Sequence, residues 1–201
     1  VEAILASPRI KRVLVECRAD FAPALFGGAE AVTEQLQRLT RSDKECWFYA
    51  KEYDQLRLYL AAGCSHRVIH PLGTLSFLGV FRPFLFFKHA LDRQKVEPQV
   101  LRRGAYKSAG ERFVNDSLDG ANEEQYRAYL DEVMEEMRGA VERGFNKGPQ
   151  DLRDLLNGTM LTAEAARQEG WIDEVHTLHA FLSEWKREKV KEASFKEGRR
   201  S

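Results

Sequence analysis

The sequence lacks a net charge, a long apolar run and an even set of cysteines. Its 201 residues include 31 lysines and arginines against 31 aspartates and glutamates, so the formal net charge is zero. A neutral chain gives no reason to expect nucleic acid or an anionic membrane surface as its main partner. No apolar stretch approaches the roughly 20 residues of a transmembrane helix, and the start does not resemble a signal peptide. We therefore expect this chain itself to be soluble.

The three cysteines, Cys17, Cys46 and Cys64, form no CxxC pair and have no histidine at a metal-like spacing. An odd number gives no disulfide framework, so we expect buried, inert thiols, although a bridge between two of them stays compatible with the sequence. His66 and His70 lie four residues apart in a strand-and-turn context, where their side chains should not converge. We expect no metal and no cofactor.

Short apolar segments alternate with helical patterns in the first 70 residues. The segments predicted to be strands are 10–16, 46–50 and 67–69. Their uninterrupted apolar runs are typical of a parallel sheet that is covered on both faces. Helices are predicted from about Ala29 and over 54–63, the latter with Asp54 as N-cap and Gly63 as C-cap. This alternation predicts an α/β fold.

The rest of the chain is predicted to be mainly helical. Helices are expected near 83–93, from Asn122 to about Gly144, near 149–156, near 162–169 and over 177–190, with one more strand at 96–101. Asn122 and Gln125 have the spacing of a capping box, and an apolar stripe runs from Tyr126 to Val141. We expect a single domain over 1–201, with a helical tail from about 185.

Lys107 lies in a short loop between the strand predicted to end at Leu101 and the long helix. Such a scaffold can hold a lysine while desolvation lowers the pKa of its amine. A neutral amine can serve as general base for a serine hydroxyl in place of histidine. The following Ser108 is equally suited to orienting the ammonium and to capping a turn. From spacing alone, the alternative for Lys107 is a solvated surface charge.

Five stretches match, in order, the pattern of one protein family. They are Ile10–Glu16 with the loop to Gly27-Gly28, Tyr53–Ala61, Pro71–Val80, Gly104–Ala109 and Thr162–Glu174. In the fourth, Gly104-Ala-Tyr106-Lys107-Ser108-Ala109, the lysine corresponds to the family's general base. The chain resembles signal peptide peptidase A, a serine protease family of the crotonase-like/Clp-protease superfamily. This resemblance implies a ββα superhelix with a largely parallel sheet and a helical C-terminal part.

The family's nucleophile is missing. Leu56 stands where the family carries its serine, and Arg57 and Leu58 replace two glycines. Leucine offers no nucleophile. The oxyanion loop also departs from the pattern, with Ala22-Pro23-Ala24 near the expected proline–glycine–glycine. We therefore expect that this chain does not cleave peptides by itself.

Double-length members of the family carry two copies of the domain, and their N-terminal copy keeps the lysine and lacks the serine. Lys107 together with Leu56 resembles that copy, so we expect this chain to be part of a longer tandem protein. The resemblance implies that Lys107, supported by Tyr106 and Ser108, deprotonates a serine on a second domain or protomer. It further implies a homo-oligomeric ring, a membrane anchor in a segment absent here, and signal-peptide remnants as substrates.

Two other functions stay open. A catalytically inactive scaffold of the same fold would need no lysine in that loop. A crotonase-type acyl-CoA enzyme would need paired carboxylates, which the sequence does not show. The phenylalanines at 77, 81, 84, 86 and 87 would suit an apolar groove or an inter-domain face, but for most of them we expect burial in the core.

Overall fold

The computed structural model describes residues 1–18, 20–21, 26–42, 44–101, 103, 109–158 and 160–187. The helices are α1 (Glu2–Ala6), α2 (Phe26–Thr40), α3 (Gln55–Ala61), α4 (Lys88–Arg93), α5 (Glu111–Val114), α6 (Gly120–Phe145), α7 (Pro149–Leu156), α8 (Ala163–Gln168) and α9 (Leu178–Arg187). The strands are β1 (Arg12–Cys17), β2 (Glu45–Ala50), β3 (His66–Ile69), β4 (Thr74–Leu75), β5 (Leu161–Thr162) and β6 (Glu174–Val175). Within these ranges, every helix is too short or too polar to cross a membrane.

The central sheet is parallel, with the strand order β1-β2-β3-β6. Its register places Val15 opposite Phe48 and Tyr49 opposite Val68. A separate antiparallel pair joins β4 to β5. The three strands predicted in the first 70 residues are confirmed to within two residues at each end, and so is the α/β fold class.

Both faces of the sheet are covered, as the contiguous apolar runs predict. On one face, Phe181 and Trp185 of α9 pack with Tyr49 and Val68. The Tyr49 hydroxyl also accepts a hydrogen bond from the Leu178 amide at 3.0 Å, at the start of α9. The alternate residues of β2 point to the opposite face, because side chains alternate along a strand. A parallel sheet requires this double cover, since both of its faces are apolar.

Cys46 and Cys64 are joined by a disulfide, with their Cα atoms 4.8 Å apart. The bond ties β2 to the turn that follows α3. The expectation of three thiols is therefore wrong for these two residues, although both are buried as expected. The β2–α3–β3 crossover brings them together, and their separation of 18 residues gives no sign of it. Cys17 is a buried free thiol.

Two predicted helix ends are corrected. α2 begins at Phe26 rather than at Ala29. The C-cap of α3 is Ala62, whose amide donates to the carbonyls of Leu58 and Leu60, so Gly63 lies one residue beyond it. These shifts are small because the apolar faces of both helices were read correctly. The predicted tail beyond Arg187 lies outside the described residues.

The start of α6 differs from the predicted capping box of Asn122 and Gln125. Asp119 is the residue that caps this helix, since its Oδ1 accepts from the backbone amide of Asn122 at 3.0 Å. The helix therefore begins at Gly120. Along it, Val133, Met137 and Val141 of the predicted stripe are buried, while Tyr126 and Leu130 are half-buried.

The chain divides into two compact units. The first comprises Val1–Gly79 with Met137–Ser201, and the second comprises Val80–Glu136. The first unit contains both sheets and, among the described residues, nearly all of the buried apolar side chains. The single domain over residues 1–201 stays a prediction.

Within the second unit, the helix predicted near 83–93 is confined to α4. Phe84 instead lies against the Tyr126 ring, with 4.6 Å between ring centroids, and the Arg82 guanidinium lies 5.2 Å from the same ring. The Phe87 amide donates to the Arg112 carbonyl at 2.6 Å. These contacts hold the backbone before α4 in a non-helical conformation.

The strand predicted at 96–101 is wrong. The Val96 amide donates to the Leu91 carbonyl at 3.0 Å, which closes the end of α4. Lys95 has a positive φ of 55°, which turns the chain at this point. Leu101 is fully exposed, so the apolar run does not face a sheet. The segment 96–101 has the apolar composition of a buried strand, but no strand in the described part of the chain pairs with it.

Tyr53 joins the strand β2 to its neighbour β3. The side chain is fully buried, and its hydroxyl lies 2.9 Å from the Phe48 carbonyl and 3.2 Å from the Val68 carbonyl. Burial raises the pKa of Tyr53 well above its ordinary value of 10. The phenol thus stays neutral in the folded protein at pH values where an unfolded chain ionises.

Tyr53→Phe should lower the free energy of unfolding at pH 7 by about 1–2 kcal/mol, because a buried hydrogen bond is lost. Above pH 10 the unfolded tyrosine releases its proton first, which stabilises the unfolded state. The advantage of wild type over the variant should therefore fall by about 1.4 kcal/mol per pH unit. Urea unfolding between pH 7 and 11 measures this difference, with the exposed Tyr129→Phe as control. A difference that does not change with pH would contradict the prediction.

Gly144→Ala should destabilise the protein by about 1–3 kcal/mol, because an added Cβ would lie 2.6 Å from both Cα and Cβ of Ala62. Gly139→Ala on the same helix is the matched control. There the nearest atoms belong to the end of the flexible Arg143 side chain, so the variant should gain up to about 1 kcal/mol of helix propensity. Equal effects of the two substitutions in urea unfolding would show that Gly144 is not a close contact.

Candidate active site

Leu56, the position at which the family pattern has its serine nucleophile, lies at the start of α3. Leu56 is the second residue of this helix and is half-buried. Asp54 is the N-cap, as predicted, and its Oδ1 accepts from the Arg57 amide at 2.8 Å. The Leu56 side chain has no group that can donate a proton, accept one or attack a carbonyl. The position is therefore chemically inert in this chain.

Arg57 places a buried charge directly after Leu56. Only 6% of the residue is exposed, and its Nη1 donates to Asp54 Oδ2 at 2.6 Å. The Glu52 carboxylate lies 4.0 Å away. The Asp54 side chain is 42% exposed, so solvent screens its attraction to Arg57. A fixed ion pair thus lies at the helix start, where the family pattern has glycine.

The Arg57 guanidinium also contacts the thiol of Cys17, at the end of β1. Burial raises the pKa of Cys17 above its ordinary value, and the hydrogen bond and positive charge of Arg57 act against that shift. This contact was not predicted from the sequence. The spacing of Asp54 and Arg57 was a visible sign of an ion pair in the first turn of a helix, but nothing pointed to Cys17.

Two of the segments that resemble the family pattern, 71–80 and 162–174, meet beside α3. The Tyr53 amide donates to the Thr74 carbonyl and the Ser76 amide donates to the Tyr53 carbonyl, both at 2.8 Å. The Ala163 amide donates to the Gly73 carbonyl at 3.0 Å. These backbone bonds fix the start of α3 against the segment that follows β3.

Asp173, in the same C-terminal stretch, links β3 to β6. Its Oδ2 accepts from the Arg67 amide at 2.7 Å. The Arg67 side chain is buried, donates to the Cys64 carbonyl at 2.9 Å and lies over the Phe145 ring. Burial lowers the pKa of this guanidinium. The C-terminal part of the family pattern therefore has a structural role in this chain.

His66 and His70 make separate local contacts, in agreement with the prediction that they do not converge. The His66 ring stacks on Trp47 with 4.1 Å between centroids. His70 Nδ1 accepts from the Leu72 amide at 3.1 Å. Across the described ranges, His, Cys, Asp and Glu side chains form no group of three that could hold a metal ion.

The expected burial of most phenylalanines between 77 and 87 is wrong. Phe77 is buried, but Phe81 is 73% exposed and Phe87 is also exposed. Phe84 and Phe86 are half-buried. The backbone here is neither helical nor part of a sheet, so no regular face turns these rings to a core. The other interpretation, an apolar face, suits the exposed rings.

The predicted base Lys107 and its supporting residues Tyr106 and Ser108 lie outside the described residues. Ala109 and Gly110 form a turn that leads directly into α5. The role of Lys107 therefore stays a prediction.

A buried polar cluster that was not predicted from the sequence involves Glu111 of α5 and Asn122 of α6. Glu111, the first residue of α5, is only 3% exposed, and Asn122 is fully buried. Asn122 Nδ2 donates to Glu111 Oε1 and, at 2.8 Å, to Asp119 Oδ1. A glutamate in the first turn of a helix is normally solvated, so its burial could not be predicted from the sequence.

Comparison with known proteins finds relatives among the serine proteases. Protease 4 of Haemophilus influenzae is 27% identical over 169 residues, which are 81% of this chain and 26% of the relative. The chloroplastic serine protease SPPA of Arabidopsis thaliana is 24% identical over 151 residues, which are 75% of this chain and 22% of the relative. The chain thus spans about a quarter of the length of these relatives.

A solved structure supports the fold. An enoyl-CoA hydratase/isomerase family protein from Silicibacter pomeroyi has a TM-score of 0.50 at 11% identity, and the match covers 92% of this chain and 64% of the other. At that identity the likeness shows the fold alone, which is crotonase-like. The sequence profile of Peptidase family S49 matches residues 38–191, well over half of the chain. This signal peptide peptidase A-like chain therefore belongs to peptidase family S49.

Proposed function

We propose that this chain is the half of a signal peptide peptidase that supplies the lysine general base, while the serine comes from another domain or protomer. The observation that carries this proposal is the inert start of α3 in a member of a peptidase family. Leu56 offers no nucleophile, and the buried Arg57 beside it forms an ion pair with the partly exposed Asp54. The motif around Lys107 is meanwhile retained.

In this mechanism, the neutral amine of Lys107 accepts the proton of the serine hydroxyl as the oxygen attacks the peptide carbonyl. The resulting ammonium then gives the proton to the leaving amine. Backbone amides of the serine-bearing domain stabilise the oxyanion. Tyr106 and Ser108 flank the lysine and orient it. The Ser–Lys dyad is thus composite, and neither half works alone.

The proposed substrates are the peptide remnants that remain after signal-peptide cleavage. By the family resemblance, the working assembly is a homo-oligomeric ring that is held at the membrane by a segment outside this chain. The relatives are about four times as long as the matched region, which leaves room for a serine-bearing copy. No nucleic-acid partner is proposed.

A catalytically inactive scaffold is the second candidate. The observation that favours it is the exposed apolar surface of the second unit, where Phe81, Leu85 and Leu101 are largely open to solvent. Exposed apolar side chains in such number are typical of protein contacts. The scaffold function differs from the first proposal in having no use for Lys107.

Lys107→Ala in the full-length parent protein should lower peptidase activity on a signal-peptide-like substrate by on the order of 10²–10⁴, because the general base is lost. The exposed Lys11→Ala serves as the matched control and should keep wild-type activity. Size-exclusion chromatography and thermal unfolding verify that assembly and folding are intact. Wild-type activity of the Lys107 variant would contradict the catalytic role and favour the scaffold.

Leu56→Ser in this chain should not create a reactive serine. The new hydroxyl would be followed by the buried Arg57 instead of glycine, and no lysine of the same copy is proposed to serve it. Incubation with a fluorophosphonate probe should therefore leave the variant unlabelled, while the serine-bearing parent protein is labelled. Labelling of the Leu56→Ser variant would show that this helix start is still a competent nucleophile site.

A further inference from the structure

We propose that the second unit binds the second unit of a neighbouring copy of this chain, head to tail. Two surfaces meet in this contact. The basic segment comprises the described residues 80–101, 103 and 109–114, and it lies on the acidic segment, residues 123–136 of α6, of the next copy. This inference rests on the proposed function, because it names the contact through which the proposed homo-oligomeric ring closes.

Charge is segregated along the second unit, although the chain as a whole is neutral. The acidic segment has six carboxylates and one basic side chain, which are Glu123, Glu124, Asp131, Glu132, Glu135 and Glu136 against Arg127. The basic segment has the opposite excess, with Arg82, Lys88, Arg93, Lys95, Arg103 and Arg112 against Asp92, Glu97 and Glu111. Opposite charges on two parts of one unit favour a head-to-tail contact between copies, since the basic part of one meets the acidic part of the next.

The basic segment also carries apolar side chains that are open to solvent. Leu85 is 74% exposed and Leu101 is fully exposed. Phe87 and Phe113 are exposed as well, and their rings stack with 5.9 Å between centroids. Among the described residues of this unit, Val133 is the only buried apolar one, so these side chains do not belong to a core of their own. Exposed apolar side chains in such number on a small unit indicate a protein partner.

The two helices of the basic segment, α4 and α5, are held together before any partner binds. The Phe87 amide donates to the Arg112 carbonyl at 2.6 Å. Val100 packs so closely on Gly110 that an added Cβ on the glycine would lie 2.9 Å from Val100 Cγ2. A surface that is already ordered loses less conformational entropy when it binds.

The acidic segment presents one face that suits such a partner. Tyr129, Glu132 and Glu136 are exposed, and their spacing of three and four residues places them on the same side of α6. The ring contact of α6 with its own basic segment lies nearer the helix start, where Tyr126 meets Phe84. Glu132 and Glu136 lie about 9 and 15 Å farther along the helix axis than Tyr126. This acidic face is therefore available to another copy.

An anionic lipid surface is the other partner that an apolar, basic segment could attract. Two further carboxylates, Asp116 and Asp119, lie between the two segments. The described residues of the second unit thus include eleven carboxylates and seven basic side chains, so the unit as a whole is repelled by anionic lipid. A second copy, in contrast, complements both signs at once.

The test uses two charge-reversed forms of the full-length parent protein. One form carries Arg93→Glu with Lys95→Glu, and the other carries Glu132→Lys with Glu136→Lys. Either form alone places like charges opposite each other, so each should self-associate at least about 10-fold more weakly than wild type. An equimolar mixture again pairs opposite charges at every contact, and should assemble within about 3-fold of wild type.

Sedimentation velocity over a concentration series measures the assembly. The exposed Lys11→Glu and Glu30→Lys are the matched controls and should assemble as wild type. Assembly of the mixture would also show that both reversed forms are folded. A mixture that stays dissociated, or a reversed form that assembles by itself as wild type does, would overturn the inference.

Co-sedimentation with phosphatidylserine-containing vesicles tests the lipid surface. We expect the Arg93→Glu, Lys95→Glu form to bind these vesicles no more weakly than wild type. Loss of vesicle binding in that form, with its self-association unchanged, would overturn the contact between copies in favour of lipid.

The outcomes also separate this inference from the proposed function. Lys107→Ala should assemble as wild type, and its peptidase activity bears on the composite dyad alone. An inactive Lys107→Ala variant, beside a charge-reversed mixture that fails to assemble, would refute only the contact between second units.

Discussion

Burial of both faces of the parallel sheet is the constraint on which the rest of the structure depends. It requires helices on each side, and the crossover from β2 through α3 to β3 follows from it. Tyr53 reinforces this arrangement, because its buried hydroxyl bonds to two adjacent strands while its backbone pairs with the segment after β3. The start of α3 is therefore fixed in place even though it carries no nucleophile.

The loss of the nucleophile is accompanied by a change in electrostatics. Arg57 introduces a guanidinium where the family pattern has glycine. This group forms an ion pair with Asp54 and a hydrogen bond with Cys17. The start of α3 therefore carries an ion pair and a helix cap, both made by Asp54, where the family pattern has a reactive serine. The chain thus keeps the fold of its family with a leucine and an arginine at the start of α3.

The second unit is organised differently, by polar anchors and ring contacts. Among its described residues, Val133 is the only buried apolar one. Two polar residues, Glu111 and Asn122, are buried as well. Hydrogen bonds from Asn122 hold Glu111 and Asp119 together. Polar clusters of this kind specify one geometry more strictly than apolar packing does, since a donor must meet its acceptor.

The sequence by itself determined the α/β class, the three leading strands, the Asp54 cap and the family, because periodicity, capping chemistry and motif order are local properties. It failed for the strand at 96–101, whose apolar composition resembles a buried strand although Leu101 is exposed. Whether an apolar run is covered depends on a neighbour that the run does not encode. Only the tertiary structure joined Cys46 to Cys64 and buried Glu111, since both depend on which distant segments the fold brings together.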